Sequence, residues 1–176
     1  FNVDHWDGFP VQKRALIEGL LGETGTITIA GDVHSSYACE HPVTGTGKRS
    51  IDFTGGAISS GTWGEFTTTA ASSINPGLVA LVPLLDQALV QSTTRADVAS
   101  KVRFASTSDH AISMMAVSPD QVVVDFYLVP SQEGTGANKV SVVGTNYYDN
   151  ADAYFAKRTK VTYAVIDGEL VSLTPV

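Results

Sequence analysis

Thr26-Ile27-Thr28-Ile29-Ala30-Gly31-Asp32-Val33-His34-Ser35-Ser36 is an apolar, β-branched run that stops at a glycine. An aspartate and a histidine follow it with one residue between them. The first half reads as a buried strand. Upstream, Leu16 and Leu20 pair at i,i+4, as do Ile17 and Leu21, with Lys13, Arg14 and Glu18 on the other face. That spacing predicts an amphipathic helix over Val11–Leu21, with Pro10 suited to its first position and Gly22 to Gly25 ending it. A helix that leads by a short turn into a buried strand is the signature of an α/β chain.

Further strands are expected at Tyr37–Val43 and Ser50–Thr54, joined by the Thr44–Gly47 loop. Residues 61–77 are rich in Thr, Ser, Gly and Ala and read as an irregular surface excursion. A helix is expected over Gly77–Gln91, kinked at Pro83, and a short one over Ala96–Arg103. Ile112–Val117 and Gln121–Val129 form a hairpin around Ser118-Pro119-Asp120. Ser131–Asn138 reads as a polar loop. Lys139–Val143, Lys160–Ile166 and Glu169–Leu173 complete a β-rich tail, the last two joined by a type I′ turn at Asp167-Gly168.

The chain has 176 residues, 43% of them apolar, which is enough to build a core and excludes a disordered polymer. Its net charge of −7, without any Lys/Arg cluster, argues against nucleic acid and anionic membrane surfaces as partners. The same charge would repel an anionic substrate unless cations are held locally. The longest apolar stretch, Leu78–Val90, is too short and too interrupted to span a bilayer. The single cysteine, Cys39, rules out an intrachain disulfide and reads as a small buried apolar residue. The chain opens at Phe1 within a motif-like segment, which suggests a processed or cleaved product.

A strand needs no Asp-x-His at its end, but a metal ion does. In extended backbone Asp32 and His34 point to the same side, and the C-terminal end of a strand is where open α/β sheets meet ligands. A carboxylate and an imidazole suit Zn, Fe or Mn, and further oxygen ligands would admit Ca. A capping Asp and a hydrogen-bonded His account for the same residues without a metal. Two ligands do not complete a site, since a catalytic cation needs three or more protein ligands and a place for water or substrate. His41, beside Pro42, reads as an exposed edge residue and His110 as a loop histidine. His5 is ambiguous. In the Asp4-His5-Trp6-Asp7 cluster, Asp7 could line a pocket or cap the first helix, and Trp6 could line a pocket or anchor the core. Ser35 and Ser36 lack the Gly-x-Ser-x-Gly elbow of a serine nucleophile.

Asp4-x-Trp6-Asp7-Gly8-Phe9-Pro10, a helix containing Arg14, and then Ile29-Ala30-Gly31-Asp32-Val33-His34-Ser35-Ser36 resemble the C-terminal part of PhoD-like alkaline phosphatases. That family typically reads D-x-W-D-G-Y-P and then G-D-V-H-S-S. Asp52-Phe53, Ile58-Ser59-Ser60, Asn75-Pro76 and the Met114–Leu128 hairpin are similar to its later segments. The likeness spans roughly residues 3 to 129. Phe9 stands in place of the usual Tyr and Gly77 in place of a frequent His, while residues 78–103 and the tail from about 131 do not align.

The resemblance implies part of a calcineurin-like metallophosphoesterase sandwich, an α+β fold of two mixed sheets with flanking helices. Residues 1–130 would belong to that domain and residues 131–176 to a β-rich C-terminal extension packed on it. It implies a secreted or periplasmic hydrolase of phosphate monoesters or diesters, with a centre of iron and calcium ions, zinc, manganese or magnesium being possible substitutes. Asp32 and His34 would be metal ligands and catalytic residues, and Trp6 and Asp7 would lie near the substrate pocket. The remaining ligands would come from a companion N-terminal chain of the same precursor. The alternatives are a non-catalytic binding or scaffold subunit of the same fold and an unrelated β-rich interaction module.

Overall fold

β1, Ile27–Ala30, is extended because its β-branched residues crowd a helix but fit a pleated surface. It pairs in parallel with β3, Arg49–Thr54. β3 pairs antiparallel with β2, Ser36–Pro42, and β2 with β4, Lys101–Ser106. The first sheet therefore runs β1-β3-β2-β4 and is mixed. The computed structural model describes residues 9–21, 25–43, 46–96, 100–133, 140–141 and 151–174.

The second sheet runs β10-β9-β6-β5 and is antiparallel throughout. β5 is Asp109–Val117 and β6 is Gln121–Pro130. β9, Thr159–Ile166, and β10, Glu169–Ser172, come from the tail, so the last part of the chain is built into this sheet. The turn between them holds Asp167 at φ 52° and Gly168 at φ 78°, the paired left-handed geometry expected of a type I′ hairpin. A two-residue ladder joins β7, Gln132–Glu133, to β8, Val140–Ser141.

The inner faces of the two sheets meet in one core of Ala38, Ile51 and Phe53 against Ala111, Val124, Phe126, Leu128 and Tyr163. Phe126 is fully buried, and its ring lies 5.0 Å from that of Phe104 and 6.3 Å from that of Phe53. Burying side chains of this kind stabilises the fold by about 1.5–3 kcal/mol each. One end of the sandwich closes on buried Glu40, whose two carboxylate oxygens meet Arg49 at 3.0 Å and Arg103 at 2.8 Å. The architecture is a two-sheet α+β sandwich with flanking helices, as the sequence suggested, except that only the first sheet is mixed.

Several elements differ from the reading of the sequence. The first helix is a short α-helical piece, α1 at Pro10–Arg14, that widens into a π-helical turn over Ala15–Leu21. The stretch expected to be irregular is a regular helix, α2 at Trp63–Ile74. The next helix begins as a 3₁₀ segment, Pro76–Leu84, and becomes α-helical only in α3, Leu85–Ser92. Pro83 explains that order, because its ring removes an i→i−4 bond and blocks the α form. Of the short helix expected over Ala96–Arg103, residues 97–99 lie outside the described residues and 101–103 belong to β4, since pairing with β2 outweighs local propensity. A fourth helix, α4 at Ala151–Phe155, precedes β9.

Two histidines and the cysteine also sit differently. His41 lies in β2, between β3 and β4, and is half-buried instead of being an edge residue. Burial pushes its pKa down, Asp52 opposing this and Lys13 adding to it. His110 is not in a loop but in β5, and it is 2% exposed. Cys39 is half-buried, and burial, with Asp52 nearby, pushes its thiol up to about 12, so it stays protonated and unreactive at neutral pH.

A bend at the end of the first strand as candidate active site

β1 ends at Ala30, and the chain turns sharply through residues 32–35 before β2 begins. Asp32 has φ 70° and His34 has φ 57°. Both are left-handed, so the two side chains do not leave a continuing strand on one side, as extended backbone would require. Among the described residues only one other non-glycine residue, Asp167, has a positive φ. The left-handed region costs a non-glycine residue about 1–2 kcal/mol, although Asp and His tolerate it better than most. Two such residues within a three-residue span mark strain held by the surrounding structure.

The surroundings that hold His34 come from α2. Its Nδ1 lies 2.6 Å from the carbonyl oxygen of Gly61. A carbonyl only accepts, so Nδ1 carries a proton, and in the neutral ring the lone pair is on Nε2. The ring lies beside Phe66, with centroids 5.8 Å apart and planes tilted by 36°. The Trp63 amide donates to the His34 carbonyl at 3.2 Å. Backbone and ring are thus both tied to the first turn of one helix.

That helix is anchored in turn. The Thr62 hydroxyl accepts from the Glu65 amide at 3.2 Å, and the Glu65 carboxylate accepts from the Thr62 amide at 2.7 Å. This capping box satisfies two amides at a helix start. The Gly64 amide donates to the Thr107 carbonyl at 2.7 Å. A Cβ at Gly64 would stand 3.0 Å from that same carbonyl oxygen, so the approach needs a glycine. Thr107 also donates its amide to Asp86 at 2.9 Å. Burial pushes the Asp86 carboxyl up, hydrogen bonds from Thr107 oppose this, and the charge of Asp109 adds to it.

Asp32 is exposed and His34 half-buried, both on the same bend. Trp6 and Asp7, the candidate pocket residues, lie outside the described residues, as does His5. No group of three or more His, Cys, Asp or Glu positioned to hold a metal occurs among the described residues. The bend thus presents one carboxylate and one imidazole, fewer than the three protein ligands a catalytic cation needs. The Gly61 carbonyl and Phe66 escaped the sequence reading. The Thr62-x-x-Glu65 signature directly after Gly61 was the available signal for a helix start at this point.

An Asp-x-His bend thus sits at the end of the edge strand β1 of a two-sheet α+β sandwich. The chain belongs to the PhoD-like phosphatase family, whose model matches residues 1–126. Family membership supports phosphatase-type hydrolysis. No curated protein and no solved structure matches the chain.

Proposed function

We propose that this chain carries the closing metal-ligand motif of a calcineurin-like phosphoesterase, with Asp32 and His34 as ligands. The observation that carries the reading is the 2.6 Å bond from His34 Nδ1 to the Gly61 carbonyl. It fixes the ring and leaves Nε2 as the coordinating atom, which is how a metal-bound histidine is normally held from behind. The exposed Asp32 carboxylate on the same bend supplies the second donor. Iron with calcium is the pair we assign, with zinc, manganese or magnesium as substitutes of compatible ligand chemistry. When bound, such cations acidify a water molecule and neutralise charge on a phosphate ester.

The chain's own residues have defined tasks in this scheme. Asp32 contributes negative charge that draws the cations into an acidic protein. Neutral His34 coordinates without adding charge, and Phe66 shields one side of its ring. Trp6 and Asp7 border the substrate, a phosphate monoester or diester. The remaining ligands come from a companion N-terminal chain of the same precursor, and this chain is the C-terminal part of the domain. Residues 1–130 form that part and residues 131–176 its extension. The protein works in the secreted or periplasmic space.

Exposed apolar side chains support the companion chain. Among the described residues β1 and β5 are edge strands, and they flank one 410 Å³ cleft between the sheets, lined by Ile29, Phe53, Ile112, Met115 and Val124. Ile29 is 71% and Met114 59% exposed. Edge strands with such residues call for a covering element.

The test is elemental analysis of the purified intact protein, paired with hydrolysis of 4-nitrophenyl phosphate and bis(4-nitrophenyl) phosphate. Wild-type protein should carry metal, and Asp32→Ala and His34→Ala should each lower metal content and reduce kcat/KM on the order of a hundredfold or more. Metal-free wild-type protein, together with hydrolysis unchanged in Asp32→Ala, would overturn the enzyme reading in favour of a scaffold subunit.

A further inference from the structure

Alternation along β5 turns Ala111, Ser113 and Met115 toward the core and His110, Ile112 and Met114 to the opposite face of the second sheet. On that face His110 stands opposite Val129 of β6, and Ile112 opposite Tyr127. A pocket of 510 Å³ opens there, lined by His110, Ile112, Met114, Tyr127, Phe155 and Arg158. Its volume lies within the roughly 300–1,000 Å³ of small-molecule sites.

Two of its groups lack the partners their chemistry calls for. His110 is 2% exposed, yet neither ring nitrogen has a hydrogen-bond partner among the described residues. A buried polar group without a partner is costly, so native structures rarely leave one unless a ligand or water completes it. Arg158 stands over the Tyr127 ring, its guanidinium carbon 5.3 Å from the centroid, and forms no ion pair among the described residues. Its neighbour Lys160, by contrast, is held by Asp125 at 2.8 Å. Among the described residues the pocket therefore joins an apolar wall to an imidazole without a hydrogen-bond partner and a guanidinium that has a ring contact but no ion pair.

We propose that this pocket binds a small amphipathic anion, with an aryl or short alkyl body against Ile112, Met114 and Phe155 and an anionic head accepting from His110 and Arg158. A cationic ligand would meet Arg158 unfavourably, and a purely apolar one would leave the buried imidazole unpartnered. The Asp32–His34 bend lies outside the lining, so the proposal does not depend on the phosphoesterase reading.

Calorimetric titration of the intact protein with 4-phenylbutyrate and with the uncharged 4-phenylbutanol tests it. The acid should bind saturably and at least about tenfold more tightly than the alcohol, as a charge-assisted hydrogen bond implies. Arg158→Gln, at an exposed position, should bring the acid down to the affinity of the alcohol without shifting the melting temperature. His110→Phe should do the same, and the Arg158 variant decides the matter if His110→Phe does not fold. Absence of saturable binding, equal affinities for acid and alcohol, or an unchanged acid affinity in Arg158→Gln would each overturn the proposal.

Discussion

Asp32 and His34 hold backbone angles that glycine would adopt without cost, yet the chain places side chains there. Replacing Asp32 by glycine should separate stability from chemistry. Asp32→Gly relieves the left-handed strain and should raise stability by about 1 kcal/mol in denaturant melts, while abolishing hydrolysis. A variant that is less stable than wild type, or one that keeps its activity, would count against strain retained for function. His34 differs, since its ring bond to Gly61 and its packing on Phe66 are lost with the side chain. Any glycine there would gain backbone freedom and lose the anchor together.

At the scale of elements, α2 is the part on which the bend depends. Its composition, Trp-Gly-Glu-Phe-Thr-Thr-Thr-Ala-Ala-Ser-Ser-Ile, is poor in strong helix formers. Its hydroxyls bond back to helix carbonyls, Thr67 to Trp63 at 2.8 Å, Thr69 to Glu65 at 3.0 Å and Ser73 to Thr69 at 3.0 Å, contacts that by themselves slightly destabilise a helix, so its formation rests on its cap and its packing. The capping box fixes where it starts, and Thr62 also meets Ser131 at 3.3 Å in the interior. Thr62→Ala should therefore destabilise the protein by about 1–2 kcal/mol in chemical denaturation. It should also lower activity by loosening the Gly61 carbonyl that orients His34. Wild-type stability in this variant would show that tertiary contacts alone hold the helix. α2 is hidden in the sequence because its Thr, Ser and Gly content resembles a loop, and β4 because only pairing with β2 makes that segment a strand.

Among the described residues, each sheet ends on the same side in a strand without a further partner, β1 in one and β5 in the other. On the opposite side β4 is covered by α3, where the Val102 amide donates to Thr93 at 2.9 Å. The asymmetry predicts that the 176-residue chain expressed alone associates through the β1 and β5 edges, melts without a sharp transition and lacks activity. Sedimentation and thermal melting check this, and a stable, cooperatively melting monomer would refute it. Co-expression with the proposed companion chain should give a single sharp transition.

Local sequence determined what depends on near neighbours. The extended conformation of β1, the Asp167-Gly168 turn and the β5–β6 hairpin were legible from residue type and spacing, because the physics that sets them acts within a few residues, whereas the expected burial of β1 and the expected extended backbone at Asp32 and His34 were not found. The tertiary structure alone decided what depends on distant ones. It placed the β9 and β10 tail beside β6, tied His34 to a carbonyl 27 residues away, and turned His110 from an apparent loop residue into the buried lining of a pocket. Those outcomes follow from sheet pairing and close packing, whose partners are brought together only by the completed fold.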